Sequence, residues 1–307
     1  MAIHTYEETD VIEVTAPPVL LYGQPGAGKT SLGFTASKTI CLDFDGGAHR
    51  STFRKHTARF DTWEDVIEAQ RTGMFDKFDS LICDTVGSLL KYMAASIMGG
   101  NAKLGNRAGG LSMQGWGVLK TTFDAWLAGL RQSGKQVIMI AHEKEERDGD
   151  NRMMRPDIAG GSYGIIMQCA DIVGYVCYRN NQRSVYWEPT DSYFAKNGAG
   201  LKSGPIPDFG ASPNYMADLL VQAKANLGHN AKASAELAAE VEAWRLKMEE
   251  AESLDAINAL LPELGSMRPA LKRQAWHLIQ VETERTGCTF DKTTKKFVSP
   301  TPVEGAA

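Results

Sequence analysis

The stretch Val19-Leu20-Leu21-Tyr22-Gly23-Gln24-Pro25-Gly26-Ala27-Gly28-Lys29-Thr30-Ser31 carries the strongest indication of the fold in this chain. Its first four residues are apolar and predict a buried strand. The next eight residues fit the pattern G-x-x-x-x-G-K-T, and the residues after them can continue as a helix. A strand, a glycine-rich turn and a helix in direct succession indicate an α/β fold with a largely parallel sheet.

Each residue type in this pattern has a role in binding phosphate. Glycines allow the tight curl that points successive backbone N–H groups at phosphate oxygens. A helix beginning near Lys29 would direct its positive end at the same anion. The motif assigns the β- and γ-phosphates to Lys29 and a Mg²⁺ ion to the hydroxyl of Thr30. The expected ligands are therefore ATP and Mg²⁺, and the candidate binding residues are Gly23, Gln24, Pro25, Gly26, Ala27, Gly28, Lys29, Thr30 and Ser31.

Two later apolar strands end in aspartate. Residues 39–45 place Asp43 and Asp45 two positions apart at the end of a predicted strand, so the pattern puts both on one face. A third apolar strand ends at Asp84, the expected partner of Thr30 in the Mg²⁺ shell. Ligands of open α/β sheets bind at these carboxyl ends. A surface turn also uses Asp-Gly-Gly, so the pattern leaves Asp43 and Asp45 open between a catalytic role and a turn.

Two long polar segments follow later elements. Residues 99–112 are rich in glycine and asparagine and are too long for a simple connection, which predicts a mobile functional loop. A fourth buried strand ends at His142, and residues 143–164 after it carry basic side chains diluted by six acidic ones. The alternative for that second segment is a solvated loop without a function.

The remaining chain predicts an edge hairpin and a second domain. Residues 172–178 and 183–187 alternate as two strands joined at Asn180-Asn181, and residues 11–14 and 192–196 are candidate short strands. From residue 228 the composition changes to alanine, glutamate, leucine and lysine. We therefore predict an ATP-binding core over residues 1–227 and a helical accessory domain over residues 228–307, with a frayed end from Lys292.

Composition limits the function classes. The chain has 307 residues, a net charge of −4 and 43% hydrophobic residues, which is enough for a full core. No global positive field would attract nucleic acid, so any contact with DNA must come from local basic side chains. The sequence shows no signal peptide and no apolar run of transmembrane length, which predicts a cytoplasmic protein with no membrane partner.

Two classes of nucleotide hydrolase share the loop G-x-P-G-x-G-K-T. An AAA+ ATPase usually has glutamate directly after the Mg²⁺ aspartate, whereas Thr85 follows Asp84 here. The RecA-like class takes its water-activating carboxylate from the end of the neighbouring strand and ends the fourth strand with a polar sensor. Asp45 and His142 fit these two places. The pattern therefore favours an α/β fold with a RecA-like P-loop core, an antiparallel edge hairpin and a small C-terminal helical region.

The P-loop together with residues 42–50, Leu-Asp-Phe-Asp-Gly-Gly-Ala-His-Arg, resembles the phage RecA-like ATPases of the Sak group, which are single-strand annealing proteins of phage recombination. The resemblance covers about residues 17–210. It implies that Asp45 is the general base with Asp43 supporting it, that His142 is the polar sensor, and that Lys29 also takes part in catalysis. It also implies that Lys196 is offered to a neighbouring subunit's ATP and that residues 99–112 and 143–164 are DNA loops. The side chains expected to contact DNA are Lys103, Arg107, Arg152, Arg155 and Tyr163.

The function that the resemblance implies is ATP-dependent binding and annealing of single-stranded DNA by a protein that assembles with copies of itself and hydrolyses ATP slowly. A filament and a ring are both open, and a single-strand DNA-binding protein is a further candidate partner. One alternative is a hexameric DNA helicase with a RecA-like core. Another is a nucleotide-gated binding module with little turnover.

Overall fold

A computed structural model describes residues 14–148, 151–158, 162–251 and 253–299. The chain divides into two compact units, one of Val14–Leu227 and one that includes the residues from Gly228 onward. Each unit has a hydrophobic core of its own. The predicted strand at residues 11–14 lies almost wholly outside the described residues.

The first unit is built on a central sheet with helices on both faces. Its strands are β1 (Val19–Gly23), β2 (Thr39–Asp43), β3 (His56–Arg59), β4 (Ser80–Asp84), β5 (Gln136–Asp148), β6 (Asn151–Pro156), β7 (Ile172–Arg179), β8 (Gln182–Tyr186), β9 (Lys196–Asn197) and β10 (Gly204–Pro205). The helices of the chain up to residue 250 are α1 (Lys29–Gly33), α2 (Trp63–Arg71), α3 (Val86–Gly100), α4 (Met113–Gln132), α5 (Ser162–Cys169) and α6 (Tyr215–Glu250).

The sheet has the order β10-β8-β7-β1-β5-β4-β2-β3. All neighbours from β7 to β3 pair in parallel, whereas β8 pairs antiparallel with β7 and β10 antiparallel with β8. The predicted hairpin at Asn180-Asn181 is confirmed, and both asparagines adopt the left-handed conformation that a tight hairpin turn needs. The expected α/β fold, a mostly parallel RecA-like core with an antiparallel edge, is confirmed.

The central strands β1, β2 and β4 are buried along their whole length because both faces of the sheet are covered there. Alternate residues of β1 illustrate this: Leu20 and Tyr22 lie in the hydrophobic cluster on one face, and Val19 and Leu21 lie in the cluster on the other. Helices α2 to α5 pack on the first face, while α1 and the first turns of α6 pack on the second. This three-layer arrangement brings the carboxyl ends of β1, β2, β4 and β5 to one edge.

Two segments that were expected to be open loops are ordered structures. Most of residues 143–156 form an antiparallel hairpin, because β5 continues beyond the sheet as far as Asp148 and pairs with β6. Residues 99–112 fold back on themselves: the side chain of Asn106 accepts from the backbone of Ala108 and Gly110 and donates to the carbonyl of Leu111. The predicted loop at residues 99–112 therefore has a defined conformation in the structure, and its mobility remains a prediction. The candidate strand at residues 192–196 is reduced to β9.

The second unit combines helices with a small hairpin. Its further elements are α7 (Leu254–Leu260), α8 (Pro269–Arg285), β11 (Thr289–Asp291) and β12 (Lys296–Val298). The expected fraying from Lys292 is wrong for residues 292–299, because Phe297 is 5% exposed and exchanges two backbone hydrogen bonds with the side chain of Asn258. Residues 300–307 lie outside the described part. Within that part, no helix is both long and apolar enough to span a bilayer.

Candidate active site

The P-loop follows the central strand β1 at the edge where four strands end. β1 lies between β5 and β7, and Gly23 stands opposite His142 on one side and Val176 on the other. A Cβ atom on Gly23 would lie 1.9 Å from the carbonyl oxygen of Val176, so only glycine fits there. Gly28 has φ +94°, in the left-handed region, and directly precedes α1. Since α1 has only five residues, the loop's own N–H groups, rather than a long helix, form the phosphate site.

Lys29 is buried inside the loop that it serves. Its side chain is 5% exposed, and the ammonium donates to the carbonyls of Gly23 and Gln24, each at 2.8 Å. Burial lowers the pKa of Lys29 to about 8, although the carboxylates of Asp84 and Glu143 act in the opposite direction. The loop therefore holds the Lys29 ammonium group next to the position where the motif binds the β- and γ-phosphates.

This pKa predicts that ATP binding takes up a proton. At pH 8 about half of the Lys29 side chains are neutral in the nucleotide-free protein, and the phosphates of ATP favour the charged form. Calorimetric titrations at pH 8 in two buffers of different ionisation enthalpy should reveal uptake of roughly half a proton per site. ATP affinity should fall as the pH rises above about 8. Lys29→Ala, titrated at higher ATP concentration, should lose this uptake. Equal uptake in the variant would contradict the assignment.

Thr30 and Asp84 form the candidate Mg²⁺ site. The Thr30 hydroxyl donates to Oδ2 of Asp84 at 2.7 Å across the end of β5. Asp84 is 8% exposed, and burial raises the pKa of its carboxyl group while the bond from Thr30 lowers it. Mg²⁺ is commonly bound by one or two carboxylates with substrate phosphates and water, so this oxygen pair fits the ion. Within the described ranges, no cluster of three or more histidine, cysteine or acidic ligands could hold a metal by itself.

Asp45 and His142 face each other across the same pocket. Nε2 of His142 lies 3.7 Å from Oδ2 of Asp45, and both residues line a cavity of about 370 Å³ above the P-loop. Asp43 differs from Asp45: its carboxylate accepts from the backbone N–H groups of Gly47 at 2.9 Å and Ala48 at 3.1 Å. β2 ends at Asp43, so Asp45 lies just beyond the strand. Asp43 shapes the turn that presents Asp45.

Five residues that were not among the candidate site residues line the same cavity: Gly47, Arg50, Ser51, Thr52 and Arg183. The side chain of Arg183 crosses the P-loop, and its Nε would be 2.9 Å from a Cβ atom on Gly28. Its guanidinium lies 5.4 Å from the centre of the Tyr178 ring. Ser51 bonds to Ser31 through their hydroxyls at 2.7 Å. No local pattern marks Arg183, because only the pairing of β8 with β7 and of β7 with β1 brings it to the pocket.

Lys196 lies away from the nucleotide pocket of its own chain. It stands opposite Val173 on β7, whereas Gly23 stands opposite Val176, three residues nearer the pocket edge. This separation is about 10 Å along the strands. The ammonium of Lys196 donates to the carbonyl of Ala170 at 2.7 Å.

The structure separates the five candidate DNA-contacting residues into two groups. Arg155 pairs with Glu146 at 2.5 Å and Arg152 lies 3.8 Å from Glu145, so the cations of the β5–β6 hairpin face acidic partners. Tyr163 is half-buried, and its hydroxyl accepts from Arg155 at 3.3 Å. Lys103 and Arg107 are exposed on the folded 99–112 loop, and neither forms an ion pair within the described part of the chain.

The sheet order, the P-loop and the Thr30–Asp84 pair define a P-loop ATPase. The model of the AAA domain family matches residues 15–199, more than half of the chain, and the protein belongs to that family. No curated protein matches the chain. Among solved structures, a KaiC-like protein from the hyperthermophilic archaeon Pyrococcus horikoshii OT3 is similar at 14% identity and a TM-score of 0.37. That alignment covers 64% of this chain and 87% of the other.

Proposed function

We propose that this protein binds and anneals single-stranded DNA under the control of ATP, and that it hydrolyses ATP slowly in assemblies of several copies. The observation that carries the proposal is the single pocket in which Lys29, the Thr30–Asp84 pair and the Asp45–His142 pair meet. The DNA activity, and a place in phage recombination, rest on the resemblance of the P-loop and residues 42–50 to the Sak group.

Different pocket residues can carry out the separate steps of ATP hydrolysis. The loop N–H groups and Lys29 bind the phosphates, and Thr30 and Asp84 would hold Mg²⁺, which neutralises phosphate charge when bound. Asp45 accepts a proton from the attacking water as the new bond to the γ-phosphorus forms and the bond to the bridging oxygen breaks. His142 lies beside Asp45 and can orient that carboxylate. The products are ADP and inorganic phosphate.

The path from the pocket to the proposed DNA segment is short. His142 lines the pocket and is followed within the same strand by residues 143–148 of the β5–β6 hairpin. The hydroxyl of Tyr22, the residue before the P-loop, donates to the carbonyls of Met154 at 3.0 Å and Phe194 at 2.6 Å. A movement of the P-loop on ATP binding would therefore reach the hairpin through β1 and β5 together.

DNA binding in this proposal relies on exposed cations. Because Arg152 and Arg155 face glutamates, they would first have to exchange partners before they could bind phosphate. Lys103 and Arg107 need no such exchange. We therefore assign the first phosphate contacts of the core to the 99–112 loop and the later ones to the hairpin.

The proposal predicts that ATP strengthens binding of single-stranded DNA and speeds annealing of complementary strands. Fluorescence anisotropy with a labelled oligonucleotide should give tighter binding with a non-hydrolysable ATP analogue than without nucleotide. Lys29→Ala should remove this difference, and Lys103→Glu with Arg107→Glu should reduce it without preventing ATP binding. Equal affinity for DNA with and without the nucleotide analogue would contradict the proposal. Separation of a forked duplex would favour the helicase, and ATP-dependent binding without turnover would favour the nucleotide-gated module.

A further inference from the structure

Helix α8 in the second unit presents one face to solvent and another to its core. Ala275 and Ile279 are fully buried in the core. A different stripe, Pro269, Lys272, Arg273 and Trp276, has the spacing i, i+3, i+4 and i+7, which places these side chains on one face of the helix. Together with Met267 they line an open cavity of about 480 Å³. This face therefore combines two cations with an indole ring.

The β11–β12 hairpin extends the aromatic part of this face. The ring of Trp276 lies 5.1 Å from that of Phe290 and 5.8 Å from that of Phe297, centre to centre. Phe297 is buried, but Phe290 is 36% exposed and Trp276 is half-buried. The indole ring of Trp276 therefore packs against the buried ring of Phe297 and leaves part of its own surface exposed to solvent.

The helix face carries two exposed cations, Lys272 and Arg273. The hairpin carries three further exposed lysines, Lys292, Lys295 and Lys296, but Lys296 stands opposite Asp291 on the face of the hairpin away from Phe290 and Phe297. Among the residues that the structure describes, neither these lysines nor Lys272 and Arg273 form ion pairs. By contrast, Lys247, Arg268 and Arg285 of the same unit each contact a glutamate. The carboxylate of the nearby Asp291 accepts hydrogen bonds within the hairpin, from the backbone N–H of Thr293 and from the hydroxyl of Thr294.

We propose that the basic aromatic surface formed by Lys272, Arg273 and Trp276 is a second binding site for single-stranded DNA. The cations contact backbone phosphates, and an unstacked base packs on Trp276, a combination that binds single strands with little sequence preference. The choice of DNA rests on the proposed function. The site itself goes beyond that function, because every residue lining the ATP pocket lies in the first unit and this surface lies in the second.

This location makes binding at the surface independent of nucleotide. The core would take up a strand when ATP is bound, while the basic aromatic surface would retain DNA in all nucleotide states. Two separate sites would allow one protein to hold two complementary strands at the same time. The overall charge of −4 does not oppose this local site, since surface potentials beyond a Debye length are largely screened.

The first test measures nucleotide-free binding of the full-length protein to a labelled oligo-dT across a range of salt concentrations. Each phosphate contact on a single strand contributes about 0.7 to the slope of log affinity against log salt. Lys272→Gln with Arg273→Gln should therefore flatten the slope by about 1.4. The matched control, Lys77→Gln with Lys232→Gln, removes two other exposed cations and should leave the slope unchanged. Equal slopes for all three proteins would overturn the proposal.

The second test examines stacking on Trp276. Oligo-dT should quench tryptophan emission of the wild-type protein, and Trp276→Phe should lose that part of the quenching while the aromatic packing is retained. A duplex of the same length should bind more weakly than the single strand, because its bases are already stacked. Unchanged quenching in Trp276→Phe, or equal affinity for the duplex, would overturn the proposal.

The two proposals fail in different ways. If the core does not bind DNA, the nucleotide-dependent increase in affinity is absent while the nucleotide-free binding remains sensitive to Lys272 and Arg273. If the basic aromatic surface does not bind DNA, the nucleotide-dependent increase remains and the nucleotide-free binding is insensitive to both residues.

Discussion

Replacing Lys196 with alanine is expected to lower ATP turnover by about 10³–10⁵, the effect of a cation supplied to a phosphoryl-transfer site by a neighbouring subunit. The side chain cannot act easily in its own pocket, because its strand position is about 10 Å from the P-loop. It is exposed at the sheet edge formed by β9, where another copy of the chain can approach it. ATP binding by isolated chains should be preserved.

A mixing experiment distinguishes action in a neighbour from action within one chain. Lys196→Ala retains Asp45, and Asp45→Asn retains Lys196, so a head-to-tail interface is complete when the first variant supplies the pocket and the second supplies the lysine. In an equal mixture about a quarter of head-to-tail interfaces would be complete, and turnover should recover to about that fraction. Wild-type specific activity should also rise with protein concentration. A mixture as inactive as its components, with constant specific activity on dilution, would show that Lys196 is not shared.

Replacing Asp45 with asparagine is expected to slow turnover by about 10²–10⁴ while ATP binding is unchanged, because a general base contributes a factor of this size. The amide keeps the shape of the side chain but cannot accept the proton of the attacking water. The pocket residues that bind phosphate, Lys29 and Thr30, are untouched. Single-turnover hydrolysis and equilibrium ATP binding, measured on the same variant, separate these two effects.

Two further variants control for this assignment. Asp43→Asn should slow turnover less than Asp45→Asn, since its remaining oxygen can still accept from the backbone of Gly47 or Ala48 and hold the turn. Glu143→Gln tests the other carboxylate that could act as the general base, since Glu143 directly follows His142 in the chain. Burial and the charge of Glu143 together raise the pKa of Tyr175. Wild-type turnover in Asp45→Asn, with loss in Glu143→Gln, would move the base to Glu143.

Sequence patterns could predict the parts of this site that are contiguous in the chain. The P-loop needs glycine where a backbone passes close and lysine where phosphate binds, so a single stretch specifies both its shape and its charge. The aspartates at the ends of β2 and β4 were also predictable, since an apolar run marks a strand and its polar end marks the edge of the sheet. The parallel core with an edge hairpin follows from the same runs.

Other features depend on contacts between distant residues. Arg183 reaches the P-loop only through two strand pairings, and the separate roles of Asp43 and Asp45 follow from a turn whose direction is fixed by hydrogen bonds to Gly47 and Ala48. The polar segment after His142 gives no local indication that β5 continues as a hairpin, because strand pairing depends on the partner segment as well as on the strand itself.

The sequence by itself determined the phosphate loop, the candidate Mg²⁺ aspartate and the buried strands, because these depend on residue type and local spacing. Only the tertiary structure decided which charges remain available. It paired Arg152 and Arg155 with glutamates and placed Lys196 outside its own pocket. Among the residues that the structure describes, it left Lys272 and Arg273 beside Trp276 without ion pairs. The physical reason is that charge pairing acts through space between segments far apart in the chain, whereas the phosphate motif acts through backbone geometry within eight residues.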